Sequence, residues 1–242
     1  MELIKLIFAS FVVFLGHVIK SLSGFGAALF SLPLLAHFYP LTELIPVFIL
    51  FDILTGLLVV SQARRRLAKK QVLLVFLGLF VGTSLGLKFL TEIDFWLLEK
   101  LFALIVALFA VQIGFIPDLS FKHRLPRWSA VLAGLLGGLA GVMFGVNGPP
   151  IVIYFSSQFK DKQVLRSSLF AVFLLDAVWR LVIYAGSSLI SSYSWYLFVV
   201  SAPVGLFGLW IGSRAYAQIS SLGIKKIASL LLLVNSFLLL IG

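Results

Sequence analysis

Ten apolar segments run through this chain, and the two shortest begin at glycine-rich breaks. The first break reads Ser23-Gly24-Phe25-Gly26-Ala27-Ala28-Leu29-Phe30-Ser31-Leu32-Pro33, the second Phe144-Gly145-Val146-Asn147-Gly148-Pro149-Pro150-Ile151. In lipid every backbone N–H and C=O must find a partner inside the protein. A helix that loosens at membrane depth is therefore tolerated only where it is buried in protein or lines a wet cavity. The two breaks read as walls of a binding site, and the rest of the chain as the frame that holds them.

The other segments bound the fold. They run from Leu3 to Ile19, Leu44 to Val60, Val72 to Phe89, Phe95 to Ile116, Trp128 to Phe144, Val164 to Tyr184, Tyr193 to Ile211 and Ile224 to Ile241. These eight approach the roughly 20 residues that a spanning helix needs. The pieces from Phe25 to Phe38 and from Pro150 to Phe159 do not. The expected fold is all-α: a polytopic transmembrane bundle of eight full helices plus two short broken or re-entrant segments. At 61% hydrophobic and 12% charged, the 242 residues leave no stretch polar enough for a separate soluble domain. The apolar N-terminus has no basic n-region or small-residue cleavage site, so it reads as a retained first helix.

The halves resemble each other. Phe48-Ile49-Leu50-Phe51-Asp52 matches Val172-Phe173-Leu174-Leu175-Asp176; Gly82, Gly86 and Lys88 match Gly208, Gly212 and Arg214; Gly24-Phe25-Gly26 matches Gly145-Val146-Asn147. Residues 1–120 and 121–242 are thus expected to be two copies of one transmembrane unit, a pattern common in secondary transporters. Charge chooses their relation. In parallel copies Lys and Arg divide almost evenly between the two faces. If each short segment adds an in-and-back pair, the copies are inverted. Arg64, Arg65, Arg66, Lys69, Lys70, Lys122, Arg124, Arg127, Lys160, Lys162, Arg166, Arg214, Lys225 and Lys226 then share one side, facing only Lys5 and Lys88. The positive-inside rule selects the inverted arrangement, with both termini outside the cytoplasm of a multi-pass cell (inner) membrane protein.

The same loop placement turns the net charge of +10 toward topology and anionic headgroups and away from nucleic acid. With no cysteine and three scattered histidines, His17, His37 and His123, neither a thiolate site nor a metal cluster is expected. No phosphate-binding loop of the Gly-x-x-x-x-Gly-Lys-Ser/Thr type and no triad pattern is present, so no ATP drive, no cofactor and no enzyme activity is expected. Glycines four apart, at 78, 82 and 86, at 137, 141 and 145, and at 208 and 212, read as close helix packing without chemistry.

A helix that restarts in mid-membrane presents free N–H groups and the positive end of its dipole. Asn147 is a plausible N-cap, and Pro149 and Pro150 suit the first turn that follows. Ser23, Gly24, Phe25, Gly26, Asn147, Gly148 and Pro149 are the expected substrate-binding residues, with helix kinking for packing as the alternative. Asp52 and Asp176, each deep in an apolar run, are the expected coupling groups together with Arg180, which stands four residues from Asp176 on the same helix face. The alternatives are a structural ion pair for Asp176 and Arg180 and a buried neutral acid for Asp52. His17 reads as a packing histidine or a proton relay. Lys20 reads as a residue that snorkels to the headgroups, with attraction of an anion as the other reading. Trp96, Trp128, Trp179, Trp195 and Trp210 read as interface anchors.

These residues resemble the TauE/SafE family of membrane permeases, also called the toluene-sulfonate uptake permease family. Gly24-Phe25-Gly26-Ala27-Ala28 through Pro33 is similar to the first copy of the family's glycine-rich stretch, and Gly145-Val146-Asn147-Gly148-Pro149 to the second. Ala27, Ala28 and Asn147 stand where family copies often carry glycine. The resemblance covers essentially the whole chain. It implies a secondary transporter of small sulfur-containing anions such as sulfite or sulfonates, with protons as a coupling ion; assembly as a homodimer is compatible with it. A cation or metal carrier using Asp52 and Asp176, and a non-transporting scaffold, are the competing readings.

Overall fold

The computed structural model describes residues 2–23, 26–63, 67–92 and 124–215, together with scattered positions between 97 and 111 and residues 233 and 237. Among them every regular element is a helix: α1 (Glu2–Ser23), α2 (Ala27–Leu35), α3 (Leu41–Ala63), α4 (Lys69–Glu92), α5 (Trp128–Phe144), α6 (Gly148–Gln158), α7 (Lys162–Gly186) and α8 (Ser192–Ala215). Five helices, α1, α3, α4, α7 and α8, are long and apolar enough to cross a membrane. At 1.5 Å per residue, α2 and α6 reach only about 13 and 16 Å, near half a bilayer. The short elements therefore fall where the glycine-rich breaks place them. The expected helices from Phe95 to Ile116 and from Ile224 to Ile241 lie mostly outside the described residues.

The two short helices each fold back on a longer one. α2 returns along α1, so that Phe8 and Phe38 meet edge-on with ring centroids 5.4 Å apart. α6 returns along α5, and Gln158 Nε2 donates to the Leu125 carbonyl at 2.9 Å. α3 and α7 pack antiparallel between these hairpins. Arg180 lies beside Asp52, a Cβ on Gly56 would meet Leu174, and the Ala68 N–H donates to Ser168 Oγ at 3.1 Å. At the opposite end Glu43 Oε2 accepts hydrogen bonds from Ser191 Oγ and Ser194 Oγ. The base of the α1–α2 hairpin thus lies at the Glu43 end of the α3–α7 pair, and that of the α5–α6 hairpin at the Ser168 end.

Helix contacts repeat when the halves are exchanged: α1 packs on α8 as α4 packs on α5, and α3 meets α8 as α7 meets α4. Lipid is as apolar as leucine and gives helices no hydrophobic reason to associate, so close packing must do it. Gly78 and Gly82 press on the backbone of α5 at Val131 and Leu135; Gly134 and Gly138 press back on α4, where a Cβ on Gly138 would sit 2.5 Å from the Leu79 carbonyl. Gly208 and Gly212 meet α1 in the same manner, with 2.7 Å from a Gly212 Cβ to the Val18 carbonyl. The outer faces carry Ile7, Phe11, Leu73, Leu77, Val182 and Phe207, exposed as lipid contact requires.

The stripe at 137, 141 and 145 does not join this packing as expected. Gly137 and Gly141 face Asn147, where a Cβ on Gly141 would stand 3.1 Å from the Asn147 Cβ, and Gly145 ends α5 in the left-handed region at φ 70°. Gly141 thus clears space for the Asn147 side chain, Gly137 for its backbone carbonyl and Ile151, and Gly145 for Leu32. Trp179 also departs from its expected interface role, lying inside α7 with its ring 4.4 Å from that of Phe80.

Candidate functional site

The two breaks meet. A small cavity of about 20 Å³ is lined from one side by Gly26, Ala27, Ala28 and Leu29 and from the other by Gly145, Val146, Asn147, Gly148 and Pro149, with Lys20, Asp52 and Phe173 completing its wall. Gly26 precedes α2 with φ 98°, a conformation that glycine adopts without the steric penalty of a Cβ. The first helical bond of α2 runs from the Phe30 N–H to the Gly26 carbonyl at 2.9 Å. The N–H groups of Ala27, Ala28 and Leu29 therefore have no acceptor within the helix. The other wall differs from expectation. Pro149 and Pro150 lie in the first turn of α6 and carry no N–H, so Gly148 is that turn's one backbone donor ahead of Ile151. Both helix ends contribute a dipole, but α2 presents more free backbone N–H groups.

Asn147 holds the N-cap position of α6, yet its side chain makes no cap hydrogen bond. Its Nδ2 instead donates to Asp176 Oδ2 at 2.6 Å. Asp176 is fully buried and also accepts from Thr83 Oγ1 at 3.3 Å. Arg180 Nε stands 2.8 Å from Asp176 Oδ2 as a close ion pair, its N–H not aimed well enough for a hydrogen bond. The same guanidinium donates through Nη1 to the Gly141 carbonyl at 3.2 Å and through Nη2 to Asp52 Oδ2 at 3.3 Å. Tyr184 OH, one turn further along α7, donates to the Val142 carbonyl at 2.7 Å and holds the end of α5 in place.

Lys20 is the residue that the sequence reading misplaced. It does not reach toward headgroups: it is 2% exposed, and its Nζ donates to Asp52 Oδ1 at 2.5 Å and to Thr55 Oγ1 at 2.7 Å. Thr55 donates its own hydroxyl hydrogen bond to the Phe51 carbonyl at 2.7 Å, leaving its oxygen to accept from Lys20. Asp52 is not a solitary acid either, since Lys20 and Arg180 hold its two oxygens. The available signal for Lys20 was its position three residues before the first break, at a depth where an unpaired ammonium is expensive. His17 is buried with Nδ1 on the Val13 carbonyl at 2.8 Å and its ring 4.4 Å from that of Phe51, while its Nε2 has no hydrogen-bond partner among the described residues.

The structure therefore brings together Gly26, Asn147, Gly148, Pro149 and Asp52 at one cavity, and sets Asp176 and Arg180 directly behind Asn147 and Asp52. Ser23 closes α1; its side chain, and all of Gly24 and Phe25, lie outside the described residues. Lys20, Asp52, Arg180 and Asp176 form a line of alternating charge across both halves that sums to zero. Among the described residues no group of His, Asp and Glu is arranged to hold a metal ion.

No curated protein and no solved structure matches the chain. The family described as Sulfite exporter TauE/SafE matches residues 9–239, nearly the whole length. This is a family of multi-pass membrane transporters, in keeping with the apolar helices and the paired breaks. The chain belongs to the TauE/SafE sulfite exporter family.

Proposed function

We propose that this protein is a secondary carrier of small sulfur-containing anions, sulfite or sulfonates, in the inner membrane of the cell, and that the anion sits in the cavity between the two breaks. One observation carries the reading: the cavity joins the open first turn of α2 and the start of α6 to the ammonium of Lys20. Two helix N-termini and a lysine favour an anion, and hydrogen bonds from charged donors to anionic oxygens are about twice as strong as neutral ones. Gly26, Asn147, Gly148 and Pro149 are the proposed contacts, together with Ser23, Gly24 and Phe25 at the start of the first break. A cation carrier is disfavoured because Lys20 and Arg180 already neutralise the carboxylates it would need.

Alternating access is proposed to follow from two inverted copies, residues 1–120 and 121–242. The hairpins at opposite ends of α3 and α7, and the exchange symmetry of the helix contacts, support this. Asp52, Asp176 and Arg180 are the proposed coupling groups: an anion arriving at Lys20 adds a negative charge to a balanced network, and a proton would offset it. The test is uptake of labelled sulfite and sulfonates into proteoliposomes with and without a pH gradient. Movement that the gradient accelerates is expected; failure of folded protein to move any such anion overturns the reading.

A further inference from the structure

Asp52 and Asp176 are mates in the repeat, yet they are placed for different tasks. Asp176 has no exposed surface and is fixed by Arg180, Asn147 and Thr83. Asp52 is 14% exposed, lies on the cavity wall, and points Oδ1 at Lys20 Nζ 2.5 Å away. Lys20 has three donors. Two are held by Asp52 and Thr55, and the face of Phe170 stands 5.4 Å from the nitrogen on another side. The cavity's one lining cation is thus already occupied by a carboxylate of the same chain.

We propose that Asp52 is a tethered counter-anion: in the empty carrier its carboxylate occupies the lysine that the transported anion binds, so that loading exchanges one anion for another at Lys20. This rests on the reading of the cavity as an anion site. The geometry lets the exchange proceed without orphaning a charge, because the displaced Asp52 keeps Arg180 Nη2, 3.3 Å from its other oxygen. It also gives the empty carrier a neutral core, since Lys20 and Arg180 balance Asp52 and Asp176. Besides Arg180, two ionisable side chains among the described residues lie beside the pair: His17, one turn before Lys20 on α1, and Arg166, which stands 5.7 Å from the same Phe170 ring and donates to Ser21 Oγ at 3.1 Å. An unloaded protein with a bare ammonium at that depth would resist the conformational change that returns the site.

The experiment measures methanesulfonate binding to the purified full chain in detergent by calorimetry at fixed pH; methanesulfonate holds its single charge across the working range. Asp52→Asn removes the internal competitor. If the competitor occupies Lys20 at least nine-tenths of the time, the variant binds at least about tenfold more tightly than the parent chain. In proteoliposomes the same variant is expected to keep methanesulfonate exchange and lose net efflux. The double variant Lys20→Gln/Asp52→Asn leaves Arg180 paired with Asp176 and no unpaired charge, and it is expected to lose binding. Equal or weaker binding by Asp52→Asn overturns the proposal. If Asp52→Asn does not fold, the double variant decides: binding as tight as the parent's overturns it. Should the parent chain bind neither methanesulfonate nor sulfite, the anion site itself fails, an outcome distinct from the other two.

Discussion

Removing the guanidinium of Arg180 tests whether the charge network is a single unit. Arg180 is 1% exposed and lies 2.8 Å from Asp176 and 3.3 Å from Asp52. At an effective dielectric of about 20, the Asp176 contact alone is worth about 6 kcal/mol of gross attraction. Most of that offsets the removal of both ions from water, so the intact pair contributes little net stability. Breaking it is different. Arg180→Met leaves Asp176 as a buried carboxylate with only Asn147 and Thr83 as donors, and loss of one partner of a buried pair costs about 3–5 kcal/mol. Asp176→Leu fails from the other side: Arg180 then shares Asp52 with Lys20, and Asn147 Nδ2 loses its acceptor. The double variant Arg180→Met/Asp176→Leu restores neutrality, because Lys20 and Asp52 remain paired. It is expected to recover at least about 2 kcal/mol relative to the sum of the single losses. Unfolding free energies in mixed micelles, followed by tryptophan fluorescence, give the cycle directly. Single variants that each lose less than about 1 kcal/mol, or strictly additive effects, would refute the reasoning, since neither fits an ionised pair at this depth.

Further outcomes follow from the packing and the site. Gly134→Ala drives a Cβ into the backbone carbonyl of Val75 and is expected to lose about 1–3 kcal/mol by the same unfolding measurement. Gly186→Ala, at the end of α7 with nothing within 4 Å of the new atom, should be neutral or gain up to about 1 kcal/mol; equal losses at both positions would refute the α4–α5 contact. Gly145→Ala adds a Cβ at φ 70° and 2.6 Å from Leu32 Cδ1. It should cost at least about 1–2 kcal/mol and lower sulfite uptake, and normal stability would show that the break has another geometry. Asp52→Asn should remove the effect of a pH gradient on labelled-sulfite exchange into sulfite-loaded proteoliposomes while the protein stays folded; unchanged proton dependence of that exchange would exclude Asp52 from coupling.

Much of this architecture was legible along the chain because lipid imposes its demands locally. A residue at membrane depth must be apolar or explained, so the runs from Leu44 to Val60 and from Val164 to Tyr184 reveal helices α3 and α7 without knowledge of their neighbours. Glycine and proline lift that constraint only where backbone is sheltered, which marked the breaks at Gly26 and Gly145. The Asp176–Arg180 pair is likewise set by spacing within one helix. What required tertiary structure was the choice of partner across distance. Nothing near Lys20 in the chain announces Asp52, 32 residues away, or links Arg180 to an acid 128 residues earlier. Asn147 reads as a cap, but Pro149 and Pro150 leave its Oδ1 no N–H to accept from, and the fold carries α7 past its Nδ2, which donates to Asp176. Composition and spacing determined that buried charges had to be neutralised; only the packing of α1, α3 and α7 decided which charge neutralises which, because that depends on which groups arrive within about 3 Å once the helices are closed.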